Sequence, residues 1–149
     1  MTIIERIQSE LRDAMKSGDR VRLDALRLLY SALQRAEKDR PAGEFTDQDA
    51  LAVLRRERKQ RVEAADAYRT AGQEQRAAAE EADIPVLVEH LPAAMSEADL
   101  EALVDAAIAE TGATTVKDMG RVMGLVTQRA EGRADGRTAS ALVRSRLSA

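Results

Sequence analysis

The stretch "KDMGRVMGLVTQRAEGRADGRTASALVRSRL", residues 117–147, decides how the whole chain is read. Placed at 100° per residue, Val116, Met119, Gly120, Met123, Val126 and Ala130 form the inward arc of one helix. Lys117, Arg121, Gly124 and Gln128 fall along one flank. After the link "EGRADG", residues 131–136, a second helix runs from about Arg137 to Leu147. It turns Leu142, Val143 and Leu147 inward and sets Arg137 and Arg144 on a common face. Arg133 lies in the link beside two glycines, where backbone N–H groups and the positive end of the following helix suit a phosphate. A plainer reading is also open: Gly120 permits close helix packing, Gly132 ends a helix, Gly136 shapes a turn, and the arginines solvate a surface. Gly124 fits it poorly. A mid-helix glycine costs roughly 1 kcal/mol relative to alanine, and a flank position offers no core packing in return.

Working towards the N-terminus, the pattern stays helical. Gly112 ends a helix that Ser96 and Asp99 open, with Leu100, Leu103, Val104, Ala107 and Ile108 inward, and Thr114 or Thr115 caps the helix after it. Four longer helices come first. One runs from Thr2 to about Lys16, and a second from Asp19 to about Lys38 with two apolar stripes, Leu26/Leu29/Leu33/Ala36 and Val21/Ala25/Leu28/Ala32. The third runs from Thr46 to about Arg69 with Leu51, Leu54, Val62, Ala65 and Tyr68 inward, and the fourth from about Gln73 to Leu91. Pro85 inside the fourth predicts a kink, or a fresh short helix capped by Asp83. No strand-like alternation occurs. The expected architecture is all-α: an N-terminal four-helix domain over 1–94 and a small three-helix tail domain over 95–149.

Composition narrows the function. Across 149 residues there is no cysteine, and Tyr30, Phe45 and Tyr68 are the only aromatics, so disulfides and thiolate chemistry are excluded. No stretch approaches a membrane span and the start is charged at Glu5 and Arg6, which predicts a cytoplasmic protein. The formal net charge of -3 is divided unevenly. After Gly112 seven cations face three anions, net +4, and residues 1–112 carry net -7. A basic end on an acidic chain points to a polyanion partner. The second cationic run, "RRERKQR" at 55–61, reads as a solvated, ion-paired face with Arg58 near the inward seam. The single histidine, His90, sits at a helix end and reads as packing or capping. No nucleophile elbow, P-loop or zinc-protease motif is present, so no catalytic residue, metal or cofactor is expected.

These residues resemble the GatB/YqeY family, in its free-standing YqeY form. The resemblance is carried by "RERKQR" with "AYRTAG" in the third helix, by "LP" at 91–92, and above all by 117–147, where a G-[KR]-V-M helix precedes a G-[KR]-A-[DN]-[GP] link. It implies a three-helix tail similar to that of the B subunit of the glutamine-dependent tRNA amidotransferase, a carbon–nitrogen ligase whose chemistry belongs to other domains. The tail helps engage tRNA in that enzyme. By position, the tRNA-facing candidates are Lys117, Arg121, Gly124, Arg133 and Arg137, with Arg144 added from its alignment with Arg137. The implied function is a tRNA-binding accessory protein, not catalytic alone. The expected partners are tRNA and amidotransferase or tRNA-synthetase components, with neither DNA nor a membrane. The alternative is a helical protein–protein adaptor.

Overall fold

The computed structural model describes residues 1–148, and every regular element among them is helical. The order is α1 (Ile3–Ser17), α2 (Arg20–Lys38), α3 (Asp47–Thr70), α4 (Glu74–Val88), α5 (Glu97–Thr111), a 3₁₀ turn (Val116–Asp118), α6 (Met119–Ala130) and α7 (Gly136–Ser148). The chain forms two compact units, Met1–Leu91 and Pro92–Ala149.

Caps chosen by the sequence set the ends. Thr2 and Thr46 each accept from the backbone N–H three residues on, and Glu5 and Asp49 return the bond to the cap backbone. Asp19 and Ser96 cap α2 and α5 in the same way. Gly18 and Gly112 end α1 and α5 at φ +77° and +68°, a conformation that costs side-chain-bearing residues more than glycine.

In the first unit α2 contacts α1, α3 and α4. Its leucines supply the centre of a core in which Ile7, Leu26, Leu29, Leu33, Leu54 and Leu87 are fully buried. The second apolar stripe expected on α2 holds only in part: Ala25 and Ala32 are buried, but Val21 and Leu28 are exposed. Small residues there let the neighbouring helices close in, and the larger flanking ones are left outside. On α3, Val62 is likewise exposed and Tyr68 half-buried, whereas Val53 joins the core. Arg58 is half-buried near the seam as expected, while the fully inward position next to Val62 belongs to Arg61.

Helix α4 passes through Pro85 as one element, and no separate helix starts at Asp83. Only three helical residues follow the proline, so one intrahelical bond is lost near an end, and burial of Val86 and Leu87 offsets that loss. Leu26 lies at the middle of this unit with no exposed surface. Leu26→Ala lowers its stability by about 2–5 kcal/mol, read as a lower urea midpoint with an unchanged slope.

In the second unit α5, α6 and α7 contact one another pairwise. Val104, Val122, Val126 and Val143 are its fully buried side chains, edged by Met119, Met123 and Leu142. Leu100 and Leu147 are buried beside them, and the rest of this small core is alanine. Ion pairs tie its helices together at the surface: Arg129 of α6 with Glu110 of α5, and Arg146 of α7 with Asp105 at 3.0 Å and Glu101 at 4.0 Å on α5.

Candidate nucleic-acid interface

The face of α6 away from the core is set by its buried residues, Val122, Val126 and Ala130. Counting round the helix from them, Arg121, Gly124 and Gln128 project together on the far side, with Gly120 beside them. All four are exposed. Beyond the chain neighbours and the backbone of α6 itself, no described atom lies within 4 Å of where a Cβ would stand on Gly120 or on Gly124. Neither glycine is therefore required by packing against the described residues. For Gly120 this corrects both the inward placement and the close-packing explanation.

Gly120 faces outward because Val122, which the expected arc omitted, is buried and shifts the inward side of α6 away from it. The residues before α6 depart from the count for another reason, the 3₁₀ turn. The expected cap, Thr114 or Thr115, does open this region, but residues 116–118 wind more tightly than an α-helix, and α6 starts only at Met119. The 100° count does not run through the turn. Val116 comes out 45% exposed rather than inward, and Lys117 is exposed in the turn, off the helical row. The turn touches both α6 and α7, which keeps Lys117 at their junction.

Arg121 is held. Its Nη2 lies 2.9 Å from Asp118 Oδ1, while Asp118 Oδ2 accepts from the backbone N–H of Thr114 and of Thr115. The Thr114 N–H first, then the Arg121 guanidinium and the Thr115 N–H, keep the Asp118 carboxyl below its ordinary pKa. The guanidinium itself stays 64% exposed. Asp118 thus orients Arg121 on the outer face at the cost of part of its charge.

The link behaves differently from expectation. Glu131 and Gly132 take successive left-handed conformations, φ 51° and 74°, so the first left-handed position after α6 belongs to Glu131 and not to the glycine. Arg133 Nε donates to Ala93 O at 3.0 Å, and Arg133 O accepts from Met95 N at 2.8 Å. Though exposed, Arg133 clasps residues 93–95 to the link. The start of α7, read as a phosphate cradle, already holds an internal anion: Asp135 Oδ2 accepts from the N–H and the hydroxyl of Thr138, both at 3.0 Å. Arg137 is exposed at the second position of α7. Arg144, seven residues on, is also exposed and has no ionic partner among the described residues.

The structure therefore joins Arg121 and Gly124 on one face and places Lys117 at the α6–α7 junction. It gives Arg133 a structural task. Asp118 and Asp135, absent from the candidate list, are the residues that shape this region. Their signals were present in the sequence, an acid three residues after Thr115 and an acid three residues before Thr138.

A family model described as Yqey-like protein matches residues 4–147, nearly the whole length. The chain belongs to that family. Among curated proteins no relative matches it. The Yqey-like match spans α1 through α7 and so includes both units. No helix among the described residues is long and apolar enough to cross a membrane.

Proposed function

We propose that this Yqey-like protein is a tRNA-binding accessory module that lays the outer face of α6 against folded RNA backbone, and that it does no chemistry alone. One observation carries the reading: Gly120 and Gly124 leave a strip of bare helix, beside Arg121, that no described residue of the unit Pro92–Ala149 occupies. Each glycine weakens α6 by roughly 1 kcal/mol in a unit whose core is small. A ligand that approaches the backbone closely gives that cost a purpose, and a guanidinium beside the strip selects an anionic one. The resemblance of 117–147 to the amidotransferase tail supports tRNA as that ligand. With no aromatic after Tyr68, the tail has no ring on which to stack an unpaired base, so contact falls on phosphates and 2′-hydroxyls.

The test is fluorescence anisotropy of labelled tRNA with full-length protein across a salt series. Binding weakens linearly with the logarithm of salt concentration. Gly124→Ala stabilises the unit by up to about 1 kcal/mol. Gly124→Leu also folds, since the position opens onto empty space, but weakens tRNA binding by about tenfold by holding the backbone away. If Gly124→Leu binds tRNA as tightly as the unaltered protein, the bare strip is no contact surface. Salt-insensitive capture of a protein by the same face, without RNA, replaces the reading with the adaptor.

A further inference from the structure

A second cluster lies in the unit Met1–Leu91, and the tRNA reading makes no use of it. Glu10 on α1, Arg22 on α2, and Glu89 and His90 at the end of α4 converge. A carboxylate oxygen of Glu10, one of Glu89 and a ring nitrogen of His90 lie within 4.8 Å of one another. The His90 side chain is only 2% exposed. Neither of its ring nitrogens has a hydrogen bond. Nε2 stands 2.9 Å from Glu10 Oε2, a suitable distance but outside hydrogen-bond geometry. A positive group caps the cluster from the solvent side: Arg22 Nη1 lies 3.0 Å and 3.2 Å from the two Glu89 oxygens, and Nη2 lies 3.3 Å from Glu10 Oε2.

We propose that Glu10, Glu89 and His90 form a binding site for a divalent cation of the zinc type, with Arg22 as the resident cation that the metal displaces. The donor set is one imidazole nitrogen and two carboxylates, which suits zinc, whereas magnesium and calcium prefer oxygen alone. Ligands about 2.1 Å from a tetrahedral zinc stand roughly 3.4 Å apart. Glu10 and His90 are already close enough to share an edge of such a site. Glu89, half-exposed at the C-cap of α4, closes the remaining gap by changing rotamer. Once Arg22 is displaced, the two carboxylates carry two negative charges, which a doubly charged ion neutralises. A bound ion joins α1 to the end of α4 and gives the buried imidazole the partner it lacks.

The experiment titrates zinc chloride into chelator-treated full-length protein, by calorimetry and by thermal unfolding, with magnesium as control. One zinc binds per chain, and at about one hundred times its dissociation constant the unfolding midpoint rises by roughly 10 °C, with no rise in magnesium. Glu10→Gln and His90→Gln each weaken zinc binding by at least about tenfold, and so does Glu89→Gln, which alters only an exposed side chain if the buried variants fail to fold. Arg22→Gln tightens zinc binding by about tenfold, because the competing charge is gone. An ionic cluster with no metal role behaves otherwise: Arg22→Gln lowers the midpoint and creates no zinc affinity. Absence of one-to-one binding at a large excess of zinc overturns the proposal, as does unaltered affinity in Glu89→Gln, or in Arg22→Gln.

Discussion

Combining Lys117→Glu, Arg121→Gln and Arg144→Glu lowers tRNA affinity by about one-hundredfold or more at physiological salt, and leaves the unit Pro92–Ala149 folded. The three side chains are exposed. Lys117 and Arg144 have no ionic partner among the described residues, and Arg121 pairs with Asp118, which keeps its bonds to Thr114 and Thr115 without it. Glutamine is chosen at 121 because a glutamate there would face Asp118. The substitutions take the net charge after Gly112 from +4 to -1. Each phosphate contact removed lowers the salt dependence by about one unit, so the slope falls by about three along with the affinity. Arg133 is left in place because its bond to Ala93 O makes any loss ambiguous between binding and folding. A folded triple variant, verified by circular dichroism, that binds tRNA as the parent does refutes the nucleic-acid reading.

The largest effect on stability is expected at Arg61. Its side chain is 8% exposed and its Nη1 lies 2.7 Å from Glu57 Oε2, with Asp83 Oδ2 at 3.8 Å from Nε. Burial raises the Asp83 pKa despite the opposing pull of Arg61, so desolvation outweighs attraction at that carboxylate. The sign for stability follows: the folded state holds the Asp83 proton more tightly than the unfolded state, so this group's contribution is greatest below pH 3.8 and is lost as pH rises through the raised pKa. Arg61→Met removes the cation shared by two partly buried acids, Glu57 and Asp83, and costs about 3–5 kcal/mol at neutral pH. Adding Glu57→Gln and Asp83→Asn recovers most of it, since no uncompensated charge then remains. Urea unfolding of the single and triple variants measures both. A single variant within about 0.5 kcal/mol of the parent would show that solvent reaches the group.

How α1, α2, α3 and α5 begin, and how α1 and α5 end, was legible in the sequence, because caps are local. Thr2, Asp19, Thr46 and Ser96 each work through atoms within three residues, and Gly18 and Gly112 through their own backbone. Periodicity also identified the leucine stripe of α2 that fills the first core. It failed where a choice between neighbours depended on what packs opposite. Val21, Leu28 and Val62 are as apolar as residues that are buried, and only the neighbouring helices decide that alanines lie inward beside them. Arg61 went unnoticed within "RRERKQR" for a related reason: its burial depends on Asp83, on another helix.

The candidate interface divides along the same line. By itself the sequence determined an all-helical chain of the Yqey-like family with a cationic, glycine-bearing end, because composition, caps and helical period are properties of neighbouring residues. Tertiary structure alone decided what each of those residues does. It turned Val116 outward through a 3₁₀ turn and Gly120 outward by burying Val122, gave Arg133 to the backbone of Ala93, filled the start of α7 with Asp135, and set Glu10, Glu89 and His90 side by side. The physical reason is that a side chain's charge and reach are fixed by its type, whereas its partner is whatever the folded chain brings within a few ångströms.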